Sequence, residues 1–480
     1  MIVDRLERSQ VDGLCEISAR VRHPRLEAQR LWFRFPAEFA PDRLDGSPFL
    51  AGVLIWAMRH AADIVVDAPV SPALLANLDK IIAILQSLSP ADRRRIDVDA
   101  TPGLPSPPIA TTGAFFTRGV DSWYAVLQAL EDAPQDPPLS HLVFCPDFLS
   151  DLNTPALMRA KTTATAEAVT STGLRFVEVR TNIKRDFGGA QLMSTALALG
   201  CQRMLVPSGA MHGEIVRATT HPVLDHRFST ERTEIVHYGD ANRLDKVARV
   251  ARSEAALDTL RVCHHDGERD ENCGRCEKCV RTMLQLHIVG ELERASTLPT
   301  VLDPTRVASV RRNLGRRHQW VEILHALEEE PENRALAAAV RLVLAHDDLI
   351  SASTSLRELA ADPALPEVRR RLPATIRHAS ALARSARRLV HPSAPGRLRA
   401  LWIHAVEGVR ESALSYRLRR RVSPPMTAMP ACGSQYGGAS PERPAAGSIH
   451  PESDGPTGDP AARGAGQAER VEPAGLEPSG

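Results

Sequence analysis

Four of the eight cysteines, Cys263, Cys273, Cys276 and Cys279, fall within one short stretch, whereas Cys15, Cys145, Cys201 and Cys432 stand apart. Clustering of this kind in an intracellular chain speaks for metal rather than disulfides. Four thiolates in the pattern Cys-x₉-Cys-Gly-Arg-Cys-Glu-Lys-Cys can close a tetrahedron around Zn²⁺, and Gly274 lets the first Cys-x-x-Cys turn fold tightly. Such a closed site has no position for water, so the zinc would be structural. Arg275, Lys278 and Arg281 lie near enough in sequence to offset the charge of four thiolates on a divalent ion, and backbone N–H groups are expected to bond the sulfurs. His264 or His265 could stand in for Cys263, and an iron–sulfur cluster uses the same residue types.

A second stretch, Gly113 to Leu130, reads as a buried strand, a glycine turn and a helix in succession. Ala114, Phe115 and Phe116 form the apolar run, and Trp123, Val126, Leu127 and Leu130 recur at helical spacing. Between them lies Thr117-Arg118-Gly119-Val120-Asp121-Ser122. A helix start offers unpaired N–H groups and partial positive charge, so anionic groups bind there readily. Gly119 permits close backbone approach, and Thr117 and Ser122 add hydroxyls. Asp121 beside a phosphate cradle is assigned to Mg²⁺, because a carboxylate otherwise repels the ligand. A plain helix cap is the alternative use of the same residues.

This stretch resembles the Ser-Gly-Gly-x-Asp-Ser loop of the PP-loop ATP pyrophosphatases, with Thr117 keeping the first hydroxyl and Gly119, Asp121 and Ser122 matching outright. Arg118 replaces the first glycine; its guanidinium either joins the cradle or crowds it. The order of loop and cysteine cluster, and the Cys-Gly-x-Cys-x-x-Cys wording, are similar to 7-cyano-7-deazaguanine synthase-like members of that superfamily. The likeness covers about Gly113 to Leu286, and that enzyme's substrate-binding wording is absent. The resemblance implies an α/β fold with a Rossmann-like five-stranded parallel sheet of order 3-2-1-4-5. It also implies ATP and Mg²⁺ held by the segment from Phe116 through Val120 to Ser122, with groups after the second and fourth strands, near Asp147 and Ser208, taking the adenine. Asp121, Lys184 and Arg118 are the expected catalytic residues, Lys184 as a mobile ammonium that follows charge on the transferring phosphate. His221-Pro222, Asp225 and Ser229-Thr230 resemble a pattern in other PP-loop relatives and are expected to touch substrate. The activity implied is that of an AMP-forming ligase or synthase. It adenylates a carboxylate or amide oxygen, releases pyrophosphate and accepts nitrogen from ammonia or an amine. A sulfur transferase acting on tRNA or a small molecule through Cys145, and a nucleotide-binding protein disabled by Arg118, are the alternatives.

The elements that must position these residues follow from periodicity. Residues 1–100 read as a small α/β module suited to docking, substrate selection or an oligomer contact, and 101–112 as a proline-rich linker. From Gly113 to 292 strands and helices alternate, as in a parallel sheet with helices on both faces. The strands are expected at Ala114–Phe116, His141–Cys145, Leu174–Val179, Arg203–Val206 and Thr233–His237. Helices are expected at Val120–Glu131, Thr154–Ser171 and Gly189–Leu199. In such sheets ligands bind beyond the carboxyl ends of the strands. The helix from Arg243 carries Arg243 and Lys246 one turn apart, a phosphate contact or a solvated face. Residues 300–421 read as all-α with basic faces, and 422–480 as a disordered tail rich in proline, glycine and alanine. The net charge of +1 gives no global case for nucleic acid or membrane. Apolar runs such as Phe49–Met58 are too short to span a bilayer, so a soluble cytoplasmic protein is expected.

Overall fold

The computed structural model describes residues 1–345 apart from 24–25, 91, 133–135, 149–153, 184–189, 210–219, 264–269 and 311–315. The expectations at Lys184, at the helical region beyond 345 and at the tail therefore lie outside the described residues. The described residues belong to a single unit, Met1–Ser415.

Alternation builds the first sheet. β1 (Ile2–Val11), β2 (Leu14–His23) and β3 (Leu26–Phe35) form an antiparallel meander. Cys15, Ile17, Ala19 and Val21 turn inward while Glu16, Ser18 and Arg20 turn to the other face, the two-residue period of a strand with one face in the core. α1 (Ser47–His60) follows, then β4 (Ile64–Val70), α2 (Pro72–Leu88) and β5 (Val98–Pro102). β1 is a central strand that periodicity misses. A bulge between Asp4 and Glu7 breaks its alternation, and its buried Asp4 is neutralised by Arg20 at 2.7 Å and Arg22 at 2.6 Å.

The second sheet is all parallel. It comprises β6 (Ile109–Phe115), then α3 (Val120–Glu131), β7 (Leu139–Phe144), α4 (Pro155–Thr170) and β8 (Arg175–Glu178). After a two-residue strand β9 (Arg180–Thr181) that belongs to the first sheet, α5 (Ala190–Leu199), β10 (Cys201–Pro207) and β11 (Glu234–Tyr238) complete it. The order is β11-β10-β6-β7-β8, whereas the first sheet runs β5-β4-β1-β2-β3-β9. β6 is thus central, and the chain reverses direction across the sheet between β6 and β10. The predicted linker holds the end of β5 and the start of β6, which begins at Ile109 rather than Ala114. Its threonines hid the strand: Thr112 is fully buried, with its hydroxyl donating to Pro137 O at 2.5 Å.

The N-terminal sheet shares its interior with the second one. Phe33 and Phe49 lie in the same apolar core as Phe115, Met193, Leu197 and Met204. α1 packs closely on α5; a Cβ on Gly52 would stand 2.8 Å from Ile183 Cδ1. β9 adds to the first sheet through Phe33↔Thr181, so the chain of the second sheet completes the edge of the first. A separate core surrounds α3, α6 (Arg243–Val250), α7 (Glu254–Thr259) and α8 (Glu277–Ile288) and contains Phe116, Trp123, Cys276 and Cys279. α9 (Pro304–Ala308) and α10 (Arg317–Glu328) pack on the far face of α8 through Trp320 and Ile323. Among the described residues no helix is long and apolar enough to cross a membrane.

Candidate anion and metal site

The turn Thr117–Ser122 sits at the carboxyl end of β6 and opens α3, with Gly119 as the N-cap and no side chain closing the helix end. The first N–H groups of the helix are therefore left for another acceptor. Ser122 Oγ accepts from Thr117 N at 3.2 Å and donates to Gly119 O at 3.0 Å, which fixes the curl of the loop. Gly119 has an ordinary φ of −75°, so strain does not require glycine there. What a side chain would change is space: a Cβ would lie 3.4 Å from Thr117 Oγ1 and 4.0 Å from Ser122 Oγ, among the hydroxyls of the turn. Phe116 and Val120 are buried core residues, Phe116 edge-on to Trp123 at 4.9 Å, and offer a ligand only their backbone.

Asp121 gathers cations. Arg243 Nη1 donates to its Oδ1 at 2.6 Å, and Lys246 Nζ stands 3.5 Å from the same oxygen. Both come from α6, whose start is capped by Asn242 accepting from Asp245 N at 2.8 Å. Burial works against charge on Asp121, but Arg243, Lys246 and Arg316 outweigh it and hold the carboxyl well below the usual range. Lys246 also donates to Ser208 O at 2.6 Å, and Arg316 to Gly209 O at 2.5 Å, which pins the end of β10 to the same recess. Arg281 arrives from α8. Its pKa is pushed down to about 10 by burial, with Glu277 opposing and Arg243 and Arg316 adding to the fall. Lys278 is an exposed residue whose pKa is lowered by desolvation of its ammonium, then by Arg281 and Arg243.

Five cations therefore face three carboxylates, Asp121, Glu277 and Asp240, and an excess of positive charge remains. Arg281 Nη1 pairs with Glu277 Oε1 at 3.0 Å, while Arg281 Nε and Arg243 Nε are buried without a hydrogen-bond partner among the described residues. Buried guanidinium donors without acceptors cost free energy, and an oxyanion entering between them would satisfy them. Of the residues the sequence suggested as counter-charges for the thiolates, Arg281 pairs with Glu277 at 3.0 Å, and both it and Lys278 lie close enough to Asp121 to feel its charge. Arg316 carried no local signal and was missed.

The four clustered cysteines converge as their spacing predicts, with all sulfurs within 4.8 Å of one another. Cys263 Sγ lies 3.7 Å from Cys276 Sγ, and Cys273 Sγ 4.0 Å from Cys279 Sγ. A tetrahedral ion with bonds of about 2.3 Å to sulfur sets these separations near ~3.8 Å. A multi-iron cluster needs sulfurs spread further apart, so the arrangement suits a single ion. Cys276 N donates to Cys273 Sγ at 3.3 Å, and Asn272 Oδ1 accepts from Val262 N and Cys263 N, shaping the turns. Gly274 has φ +63°, and a Cβ there would meet Pro299 Cγ at 2.5 Å, so glycine is required twice over. Cys276 is also the N-cap of α8, and the cluster therefore fixes the helix that delivers Lys278 and Arg281.

Other expected site residues are engaged elsewhere. Arg118 neither joins nor crowds the cradle: it is buried, donates to Thr165 Oγ1 at 3.0 Å, and forms an ion pair with Asp270. Asp147 accepts from Arg180 at 3.0 Å and from Thr181 N at 2.8 Å, securing β9 rather than reaching a ligand. Ser208 is buried; its N–H donates to Tyr238 O at 2.8 Å, and its carbonyl accepts from Lys246 in the recess. Asp225 is fully buried, accepting from His221 N at 2.9 Å and pairing with His237 Nδ1 at 2.6 Å. His221 Nδ1 accepts from Val223 N, and Ser229 Oγ accepts from Ile235 N at 2.9 Å. His221, Asp225 and Ser229 thus brace the approach to β11. Their motif-like spacing reflects a locally hydrogen-bonded turn. A cavity of about 320 Å³ lies between α4 and the end of β8, lined by Met158, Thr162, Glu178 and Arg180 among others.

No family model, curated protein or solved structure matches this chain.

Proposed function

We propose that the chain is an AMP-forming enzyme of the PP-loop ATP pyrophosphatase type, which binds ATP with Mg²⁺ at Thr117–Ser122 and adenylates a carboxylate or amide oxygen. The observation that carries this reading is the gathering of Arg243, Lys246 and Arg316 at Asp121, with Lys278 and Arg281 close enough to feel the same charges, at the uncapped start of α3. The sheet order supports it, since β6 to β8, β10 and β11 counted from β6 give 3-2-1-4-5 with the loop at the switch point. Backbone N–H groups of the loop and the guanidiniums would hold the β- and γ-phosphates and stabilise the charge of departing pyrophosphate. Both cations on Asp121 contact Oδ1, and Oδ2 is the oxygen that would hold a divalent ion, which would draw charge from the phosphates when bound. The acceptor oxygen attacks the α-phosphorus and pyrophosphate leaves; ammonia or an amine then attacks the activated carbon of the acyl or imidoyl adenylate, and AMP departs as the C–O bond breaks. The protein supplies position and charge. Nitrogen transfer is favoured over sulfur transfer because burial raises the Cys145 thiol well above its ordinary pKa, leaving little thiolate. The four-cysteine ion is assigned as structural zinc.

Incubation with Mg·ATP, ammonia and a panel of carboxylates and primary amides should yield AMP and pyrophosphate in equal amounts. ADP and phosphate, or no turnover with any acceptor, would sink the reading. Gly119→Ala should leave thermal stability within about 0.5 kcal/mol, since its methyl meets only van der Waals contacts. ATP affinity should nevertheless fall on the order of a hundredfold, because the methyl lies where an anion would contact the hydroxyls. Equal loss of both would mark Gly119 as merely structural.

A further inference from the structure

We infer that Arg118 and Asp270 are positioning residues that make the shape of the phosphate loop depend on the metal cluster. The inference rests on the reading of Thr117–Ser122 as a phosphate cradle. Arg118 adopts φ +59°, a left-handed conformation that disfavours a long side chain. Its residue nevertheless gains three fixed contacts. Nε bonds Thr165 Oγ1 on α4, Nη2 pairs with Asp270 Oδ2, and its carbonyl accepts from Arg261 N at 2.9 Å.

Asp270 is shared. Its other oxygen takes Arg261 Nε at 2.8 Å, and Arg261 Nη1 in turn donates to the carbonyl of Cys263 at 2.6 Å. An unbroken path of short polar contacts therefore runs from a metal ligand through Arg261 and Asp270 to the residue before Gly119. Arg118, Arg261 and Asp270 have side chains only 8%, 8% and 6% exposed, so water screens these ion pairs little. A carboxylate between two guanidiniums has a defined geometry, and losing it leaves buried positive charge in contact with the loop. With the metal bound, Cys263 is fixed, the bridge is aligned and the turn is held. Without it, Cys263 and Arg261 lose their anchor, and the left-handed residue has no compensation.

The test reads the loop without any nucleotide. Amide exchange is measured at Thr117 and Arg261 in full-length protein, metal-loaded and after chelation. In the natural sequence metal removal should speed both by about tenfold or more, because local opening follows loss of the bridge. Asp270→Ala should give the fast rates with metal still bound, and Asp270→Glu, which keeps the charge, should restore part of the protection. Arg118→Gly is the second variant, since glycine adopts φ +59° freely and the protein should fold. Its loop rates should respond to chelation less than about threefold, because coupling requires the bridge. Unchanged protection in Asp270→Ala, or equal metal dependence with arginine and glycine at 118, would overturn the inference. Neither result bears on whether the loop binds ATP.

Discussion

Stripping the metal, or replacing Cys279 with serine, is expected to produce the largest loss of stability of any local change in this chain. Cys279 is fully buried in the core that also holds Trp123, Phe116 and Met283, so its thiolate cannot be hydrated when the ion leaves. Four sulfurs within 4.8 Å cannot all stay ionised without a cation between them. Small zinc domains gain on the order of 10 kcal/mol from such ions, and even half of that approaches the whole stability of an ordinary domain. Thermal unfolding with and without a strong chelator should show a fall in midpoint of well over about 10 °C. Elemental analysis should find one zinc per chain and no iron. A midpoint that chelation leaves unmoved would remove the metal from the account, and iron in place of zinc would correct its identity.

The second large effect concerns Asp121. It is the anion around which Arg243, Lys246 and Arg316 are arranged. Asp121→Ala should cost about 1 kcal/mol in ligand-free protein: cations packed together lose their counter-charge, but the carboxylate is 36% exposed and water screens part of the pairing. Pyrophosphate should recover much of that loss by occupying the same recess, raising the variant's midpoint more than that of the natural sequence. Arg243→Ala should behave oppositely. It relieves repulsion with Arg281 and Arg316, changes stability little, and weakens pyrophosphate binding on the order of a hundredfold through loss of a charge-assisted bond. If pyrophosphate shifts neither protein, the cations serve only to bind one another's carboxylates.

Some of this was legible from sequence because it is local. The loop's hydroxyls, glycine and helix lie within a few residues of one another, as do three of the four cysteines, and α3 forms over the predicted Val120–Glu131. Residues whose meaning depends on a distant partner were not legible. Arg118 reads as a phosphate ligand until Asp270 and Thr165 are seen to hold it. Asp147 and Asp225 read as ligand contacts, but their partners, Arg180 and His237, reach them only once the sheet has formed. Conversely Arg316 acts on Asp121 from a distant segment and nothing in its neighbours marks it, while Arg281, noticed only for its place beside the cysteines, pairs with Glu277. The central strand β1 was hidden for a related reason. Its charges are satisfied by arginines on β2, so hydropathy alone reports a surface segment.

The central claim is that the turn before α3 and the cations around Asp121 form one polyphosphate site. Calorimetric titration of the metal-loaded protein with Mg·ATP addresses it most directly, repeated with pyrophosphate present and with Gly119→Ala. The account predicts one saturable site per chain that pyrophosphate competes for and the added methyl weakens on the order of a hundredfold. Absence of saturable binding, or binding indifferent to both pyrophosphate and the methyl, would contradict it.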